Sequence, residues 1–365
     1  MAKKILVSGY YGYNNIGDEA ILKGLIDGLS RESDGEIIVL SKNPDWTTEK
    51  YKVKSVNRSN IIEVIKAIKN SDIVLSGGGS LLQDVTSKKS IIYYLGILQL
   101  AMIFRKKTFI YSSGIGPIKL KRNIDFARWI LNRVDFINVR DSQSKRQLRE
   151  IGVNREVLVT TDTVFGIDKP NSSRGRQLLE NLGVKDNKIN ICLTIINWKN
   201  YGNRTIEEIN KTINILVKNK NLNIILVPFF YHVDLDIQNK IYENFKNEDN
   251  VFLLKEYLHV NDYLSLIGNM DIVLSMRLHG LIFASLMGAY PIGISYDPKI
   301  DGFMKELNRI QKFYVEDFNG EDIGKEILKS IDNLVDLKLS TKKHLDKFYN
   351  LAREHNKAVE RVLKN

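Results

Sequence analysis

One cysteine in 365 residues has no second thiol in the chain to pair with, which excludes an internal disulfide and any thiolate metal cluster. That residue, Cys192, sits in the strand-like run INICLTI, so a buried structural thiol is the expectation rather than a nucleophile. Proline is scarce too, at 6 residues, while 43% of the chain is hydrophobic. This balance belongs to a folded globular chain and not to a disordered one. Long apolar runs are missing: the longest near the middle, Ile91 to Phe104, falls short of the roughly 20 residues that cross a bilayer. Nothing at the start resembles a signal peptide, and a cytoplasmic protein is expected.

Acid is in deficit. Lys and Arg number 54 against 43 Asp and Glu, a net charge of +11, which suits an anionic partner such as nucleic acid, a membrane surface or a phosphorylated substrate. The excess is uneven. Between Lys88 and Arg149 there are fourteen Lys or Arg and only three acids, Asp125, Asp135 and Asp141. A coding bias toward Lys, Asn and Ile explains such solvated faces about as well as a functional patch does. No aromatic-interleaved basic ribbon, zinc finger or helix-turn-helix signature points to nucleic acid.

Short β-branched runs alternate with helical patterns: KILVSG, EIIVLS, DIVLSG, TFIYSSG and FINVR in the first half, INICLTI, NIILVPF, NVFLL, DIVLS and YPIGIS in the second. Alternation of this kind predicts parallel sheets flanked by helices, hence an α/β protein. At 365 residues two domains are expected. Pro, Ser, Gly and charge coincide at Asp168–Gln177, the best linker. The expected layout is a doubly wound domain over 1–168, a second over 176–315, and charged helices over 320–365 that pack back.

Ligands of such sheets bind beyond the carboxyl ends of the strands. The first such loop, GYYGYNNIGDEAIL, lacks the G-x-G-x-x-G spacing of dinucleotide binding. Gly12 and Gly17 have phosphate-loop spacing, but Asp18 and Glu19 stand where Lys and Ser or Thr are needed and would repel phosphates. Tyr10, Tyr11, Asn14, Asn15, Asp18 and Glu19 are instead a set that hydrogen-bonds neutral hydroxyls, as in a sugar; first-turn acids favoured by the helix dipole are the bland reading of Asp18 and Glu19. GGGS at Gly77–Ser80 is either a tight turn or a place where a ligand approaches backbone ahead of a helix.

The apolar run from Asp271 to Gly293 is interrupted by Arg277 and His279, and burying either without partners costs roughly several kcal/mol. If the strand DIVLS runs on extended, the two side chains point the same way, with helix amides starting near Gly280. Arginine forks onto carboxylate or phosphate, and a histidine adds charge or delivers a proton near neutrality. The alternative is a buried Arg–carboxylate pair with a hydrogen-bonded core histidine. Lys299, past the next strand, and Arg140, at the end of FINVR, add two cations at strand ends. No His, Cys and carboxylate grouping has metal spacing; YHVDLD, with His232, Asp234 and Asp236, comes nearest and reads as a solvated loop.

Taken together, GYYGYNNIGDEAIL, SGGGSLLQDVTSKKSIIYYLG, GIGPI, VRDSQSKRQL, TTDTVF and MRLHGLIFASLMGAYPIGISYDPKIDGF resemble the polysaccharide pyruvyltransferase family, nearest to the bacterial cell-wall members. The motifs run in order from Gly9 to about Phe303. Two local departures are Thr163, where relatives often carry Pro, and Gly280, where Ala is commoner. The resemblance implies two Rossmann-like domains facing a cleft, as in GT-B glycosyltransferases. It implies phosphoenolpyruvate as co-substrate, with no cofactor and no metal. The implied acceptor is a lipid-linked N-acetylhexosamine, N-acetylmannosamine foremost, of a secondary cell-wall polymer, and the product a 4,6-linked pyruvate ketal that helps anchor surface layers. Carried over by motif, Arg140, Arg277, His279 and Lys299 hold the donor, with Arg140, Arg277 and His279 catalytic and Asp18 a candidate base. Tyr10, Asn14, Asn15, Asp18, Glu19, Gly78, Gly79, Gln83 and Asp84 line the acceptor side. Such an acceptor would be met at an anionic membrane surface, giving the basic segment a use as a peripheral contact on the inner face of the plasma membrane. The rival expectations are a nucleotide-sugar glycosyltransferase of the same architecture and a non-catalytic membrane-surface module that only holds polyanions.

Overall fold

The computed structural model describes residues 3–85 and 87–364. The chain forms two compact units, one made of residues up to Asp168 together with those from Lys347 onward, the other of Lys169–Asp346.

In the first unit the order is β1 (Lys4–Tyr11), α1 (Ile16–Glu32), β2 (Glu36–Ser41), α2 (Pro44–Tyr51), β3 (Lys54–Asn57), α3 (Ile61–Asn70), β4 (Ile73–Ser76), β5 (Gly79–Leu82), α4 (Ser90–Ile103), β6 (Lys107–Ile115), α5 (Lys121–Leu131), β7 (Phe136–Val139), α6 (Ser142–Glu150) and β8 (Leu158–Val159). The strands pair in the order β3-β2-β1-β4-β6-β7-β8, with β5 added on β6, and every pairing is parallel. Central strands of such a sheet are covered on both faces, which is why Ile5, Leu6 and Val7 of β1 and Ile73, Val74 and Leu75 of β4 are continuous apolar runs with no exposure.

The second unit contains α7 (Ser173–Asn181), β9 (Ile189–Thr194), α8 (Gly202–Leu216), β10 (Leu222–Leu226), α9 (Tyr231–Glu243), β11 (Val251–Leu253), α10 (Val260–Ile267), β12 (Ile272–Ser275), α11 (Leu278–Met287), β13 (Tyr290–Ser295), α12 (Pro298–Glu306), β14 (Phe313–Tyr314), α13 (Gly320–Asp332) and α14 (Leu334–Lys342), after which α15 spans Leu345–Lys364. Its sheet runs β11-β10-β9-β12-β13-β14, again parallel. Both units are therefore doubly wound, and both present their strand ends and helix starts along one edge.

The segment 320–365 does not stand apart as its own group of helices. Helix α13 lies on α8 in the second unit: Glu208 accepts the Gly320 amide at 2.7 Å and Thr212 donates to the Gly320 carbonyl at 2.8 Å. Helix α15 belongs to the first unit, where Phe348 stacks on Phe165 at 4.6 Å and the Tyr111 hydroxyl donates to Asn356. The second unit also starts earlier and ends later than 176–315, because α7 packs on α10 and α13 on α8.

GGGS does not precede a helix. The chain enters β5 there and reaches α4 only at Ser90. A Cβ at Gly77 would lie 2.3 Å from the Tyr11 hydroxyl, and one at Gly78 would lie 2.8 Å from Ile21. The space those two glycines leave is filled by the protein's own side chains, and Tyr11, expected to bind a sugar hydroxyl, is instead fully buried there as a core residue.

Candidate active site

In the second unit the strand-end edge is built around Ser275. Its hydroxyl accepts the Arg277 amide at 2.9 Å and donates to the Arg277 carbonyl at 2.7 Å. Arg277 is thereby fixed as the extended residue before α11, with φ −97° and ψ 128°, and the helix starts at Leu278. His279 consequently lies in the first helical turn. The picture of Arg277 and His279 alternating along an extended segment is overturned, because the chain coils one residue after Arg277. Gly280 lets that turn settle on the sheet: a Cβ there would lie 2.3 Å from Ser275 Oγ and 2.9 Å from Thr194 Cγ2. Alanine, the commoner residue of the resembling motif, would press on the serine that sets Arg277.

The Arg277 guanidinium meets Asp234 with two nitrogens, Nε to Oδ2 at 3.1 Å and a terminal nitrogen to Oδ1 at 2.5 Å. Asp234 is wholly buried and also accepts the Phe230 amide at 2.8 Å, while the Arg277 side chain keeps 22% of its surface exposed. The Phe230 ring lies 5.9 Å from the guanidinium carbon. YHVDLD is thus not a solvated loop: it opens α9, with Asp234 turned inward and Asp236 outward against Lys240 at 2.7 Å. One strand further along, Asp297 caps α12 by accepting the Lys299 amide at 3.1 Å, and the Lys299 ammonium sits 3.3 Å from the same carboxylate. Because β12 pairs with β13, Arg277, His279 and Lys299 all follow adjacent strand ends.

The first unit arranges its charges differently. Arg140 ends β7 with only 6% exposure, bonded to Asp162 at 3.2 Å, Asp141 at 3.4 Å and the Ser80 hydroxyl at 3.1 Å. Asn15 caps α1 and donates to Asp18 at 2.6 Å, and Asp18 also borders Gly79, where a Cβ would lie 3.2 Å from its carboxylate. Glu19 does not join them. It is buried, accepts the Gly12 amide and the Tyr51 hydroxyl, each at 2.8 Å, and so ties the first loop to α2. Burial pushes its pKa up to about 7 in spite of those bonds.

Asp84 is a brace as well, accepting the Lys119 and Leu120 amides and the Asn123 side chain at 2.8, 2.9 and 3.0 Å. Burial would raise its pKa, but these donors outweigh burial and lower it. Gln83 accepts the Val85 amide at 2.8 Å. Asn14 holds a left-handed backbone (φ 59°), and Gly79 has φ 94°. Tyr10 stacks flat on Tyr13 at 4.0 Å.

Three residues that shape these edges, Asp162, Arg58 and His355, escaped the sequence reading, and Asp234 was there misread as part of a solvated loop. Asp234 and Asp162 are the counter-ions of Arg277 and Arg140. Arg58 follows β3, donates to the Gly9 carbonyl at 2.7 Å and the Tyr94 hydroxyl at 3.3 Å, and lies 4.5 Å from the Tyr93 ring and 5.4 Å from the Tyr13 ring. His355 of α15 is fully buried against the Tyr111 ring, its Nδ1 3.4 Å from the Thr160 hydroxyl. Burial drives its pKa down to about 3, with the nearby Asp162 acting the other way. Cys192 is buried, and burial pushes its thiol pKa well up. Among the described residues no three His, Cys, Asp or Glu side chains gather as metal ligands, and no helix is long and apolar enough to cross a membrane.

A family model described as polysaccharide pyruvyl transferase matches residues 15–298. The amylovoran biosynthesis protein AmsJ of Erwinia amylovora is 21% identical, covering 83% of this chain and 86% of its own length. Among solved structures, Anabaena HepE in complex with UDP-glucose aligns with a TM-score of 0.65 at 14% identity over 99% of both chains. A UDP-N-acetylglucosamine 2-epimerase assigned from Listeria monocytogenes aligns at 0.70 and 14% identity over 100% of this chain and 97% of that one. A Rickettsia africae glycosyltransferase aligns at 0.66 and 16% over 100% and 99%. At these identities the likeness shows the fold, which is of the GT-B type.

Proposed function

Because the chain belongs to the polysaccharide pyruvyl transferase family, we propose that it moves the enolpyruvyl group of phosphoenolpyruvate onto a lipid-linked N-acetylhexosamine of a polysaccharide precursor, closing a 4,6-pyruvate ketal. One observation carries the reading: Arg277, held by buried Asp234 yet partly exposed, follows β12 and opens α11, while Lys299, in the first turn of α12, follows the neighbouring strand β13. Two cations and a helix N-terminus on one edge match a carboxylate-phosphate dianion or trianion. A relative named for amylovoran biosynthesis supports a polysaccharide precursor as the acceptor.

The chemistry requires a proton on the methylene carbon of phosphoenolpyruvate, which leaves an oxocarbenium at C2. One sugar hydroxyl adds to C2 and gives up its proton. Phosphate then departs with the C2–O electron pair, and the second hydroxyl adds to the regenerated oxocarbenium and loses its proton. Of the two protons released, one balances the methyl group formed and the other leaves with phosphate. We assign His279 as the proton donor, Arg277 to the carboxylate, Lys299 to the phosphate, and Asp18, half-buried and oriented by Asn15, as the base for a hydroxyl. Arg140, enclosed by Asp162 and Asp141, is assigned to holding Ser80 and the strand ends of the first unit rather than to clamping the donor.

The test is incubation with phosphoenolpyruvate and a nitrophenyl-tagged N-acetylhexosaminide, following phosphate release and the mass of the product. Equimolar phosphate and ketal support the reading. Transfer from a UDP-sugar in place of phosphoenolpyruvate would replace it with glycosyl transfer on the same fold. His279→Gln with near-normal turnover and an unchanged pH profile would remove the acid assignment alone.

A further inference from the structure

The basic segment found in the sequence has a definite place in the fold. Helices α3, α4 and α5 begin side by side: the Tyr93 hydroxyl of α4 donates to the Arg58 carbonyl just before α3 at 3.2 Å, and Asn123 of α5 donates to Asp84 and to the Lys88 carbonyl just before α4. Helices α1, α2 and α3 carry acids in their first turns, as their dipoles favour. The first turns of α4 and α5 carry none; Lys88 and Lys89 lead into α4, and Lys121 and Arg122 open α5. Positive charge at a helix start opposes the helix's own field; Asp84, which accepts the Lys119 and Leu120 amides, offsets this at α5, but the first turn of α4 holds no acid, so helix stability does not explain the cations there.

These four cations are exposed. Elsewhere in the segment Arg128 pairs with Asp125, and Arg140 with Asp141 and Asp162, whereas none of the four has an ion pair among the described residues. Three large apolar side chains lie on the same row of helix starts, Ile61 at 58%, Ile62 at 64% and Ile92 at 41% exposure.

We propose that this row docks the first unit on an anionic phospholipid bilayer, the isoleucines entering the headgroup layer and the four cations meeting lipid phosphates. A soluble polyanion would satisfy the cations but leave the isoleucines in water, which favours a bilayer. The row lies at the strand-end edge that carries the Gly9–Glu19 and Gly77–Asp84 loops, so docking would bring those loops to the height of the headgroups. The inference does not depend on the donor assigned above.

The test is flotation of the full chain with phosphatidylcholine vesicles, with and without phosphatidylglycerol, at low and high salt. Binding is expected only with phosphatidylglycerol, weakening as salt rises. The double change Lys89→Glu and Arg122→Glu should lower vesicle affinity at least about tenfold. Ile62→Ser with Ile92→Ser should lower it several-fold without altering the salt dependence. Both variants should keep the parent's melting temperature and its phosphate release with a soluble acceptor. No binding to phosphatidylglycerol vesicles, equal binding to neutral ones, or indifference to the charge reversals would overturn the proposal. So would dextran sulfate binding that the charge reversals abolish, with vesicle binding untouched by the isoleucine changes.

Discussion

The two units use one architecture and treat arginine in opposite ways at their strand ends. In the second unit Arg277 is forked by the buried Asp234 carboxylate and keeps 22% of its side chain exposed. In the first, Arg140 sits between two carboxylates at 6% exposure, and Arg58 is wrapped by tyrosines. One carboxylate cancels one guanidinium charge, so two leave the Arg140 cluster net negative and closed, whereas Arg277 differs in keeping part of its fork exposed. On the function proposed above, the second unit's edge takes the anion and the first unit's, lined by tyrosine, asparagine and Asp18, takes the neutral polyol.

Removing each arginine in turn should separate these roles, with the largest effect at Arg277. Arg277→Met is expected to cut kcat/KM for phosphoenolpyruvate by about 10²- to 10³-fold. It should also cost on the order of 3 kcal/mol of stability by leaving Asp234 buried and unpaired. Asp234→Asn added to Arg277→Met should recover part of the stability and none of the activity. Arg140→Met should show the reverse weighting, with a stability loss of similar size and donor KM shifted far less. Urea denaturation beside steady-state kinetics reads both, and an equal rise in donor KM for the two variants would break the contrast between the units.

Next in size is the buried Glu19. Its folded pKa of about 7 lies above its ordinary value of 4.5, so the folded state holds a proton that the unfolded chain has released. That contribution is fully present below pH 4.5 and is lost as pH rises through 7, a swing on the order of 3 kcal/mol. Glu19→Gln keeps an acceptor for the Gly12 amide and can donate to the Tyr51 oxygen. It should flatten stability between pH 5 and 8; an unchanged slope would show that the carboxyl is hydrated and that the loop is not braced as described.

How much of this was legible follows from the range of each interaction. The central strands were readable because burial on both faces writes an unbroken apolar run, as in ILV of β1 and IVL of β4. The edge strand β3, KSVN, and the two-residue β8 and β14 have too little apolar pattern to stand out. Arg277 was conspicuous as a charge within an apolar run. Its partner was not, because Asp234 lies 43 positions earlier and looked like one of two exposed acids in YHVDLD. Helical periodicity turns Asp234 and Asp236 to different faces, a signal that a loop reading discards. Arg58 and Tyr94 are 36 positions apart, and no local pattern joins them. Glycines proved ambiguous for a similar reason: Gly77 and Gly78 make room for Tyr11 and Ile21, which sequence order cannot reveal.

His355 gives the first unit an opposite pH dependence, smaller over the accessible range. With its pKa lowered by burial to about 3, it stays neutral in the folded state while the unfolded chain takes up a proton below about pH 6.5. Stability should therefore be complete above pH 6.5 and fall as pH drops, by about 2 kcal/mol between pH 6.5 and 5. His355→Phe keeps the ring against Tyr111 and should abolish this acid loss at the cost of the Thr160 contact. Because Thr160, which meets His355, lies two residues before Asp162, the partner of Arg140, the variant should leave donor KM unchanged if Arg140 is enclosed. A rise in donor KM would show that α15 tunes a working arginine.

The smallest effect is expected at Arg58, and it bears most directly on the polyol side of the contrast. Its fork spans the Gly9 carbonyl and the Tyr94 hydroxyl while the guanidinium faces Tyr93 and Tyr13, so it holds the stacked Tyr10–Tyr13 pair against the first loop. Arg58→Lys retains the charge but has one point donor in place of the fork. A few-fold to about tenfold rise in acceptor KM is expected, roughly 1 kcal/mol, with donor KM untouched. If charge were what mattered there, Lys would rescue and Met would not. If geometry matters, Lys and Met should raise acceptor KM alike, and a donor effect from either would mean that the first unit handles the anion as well.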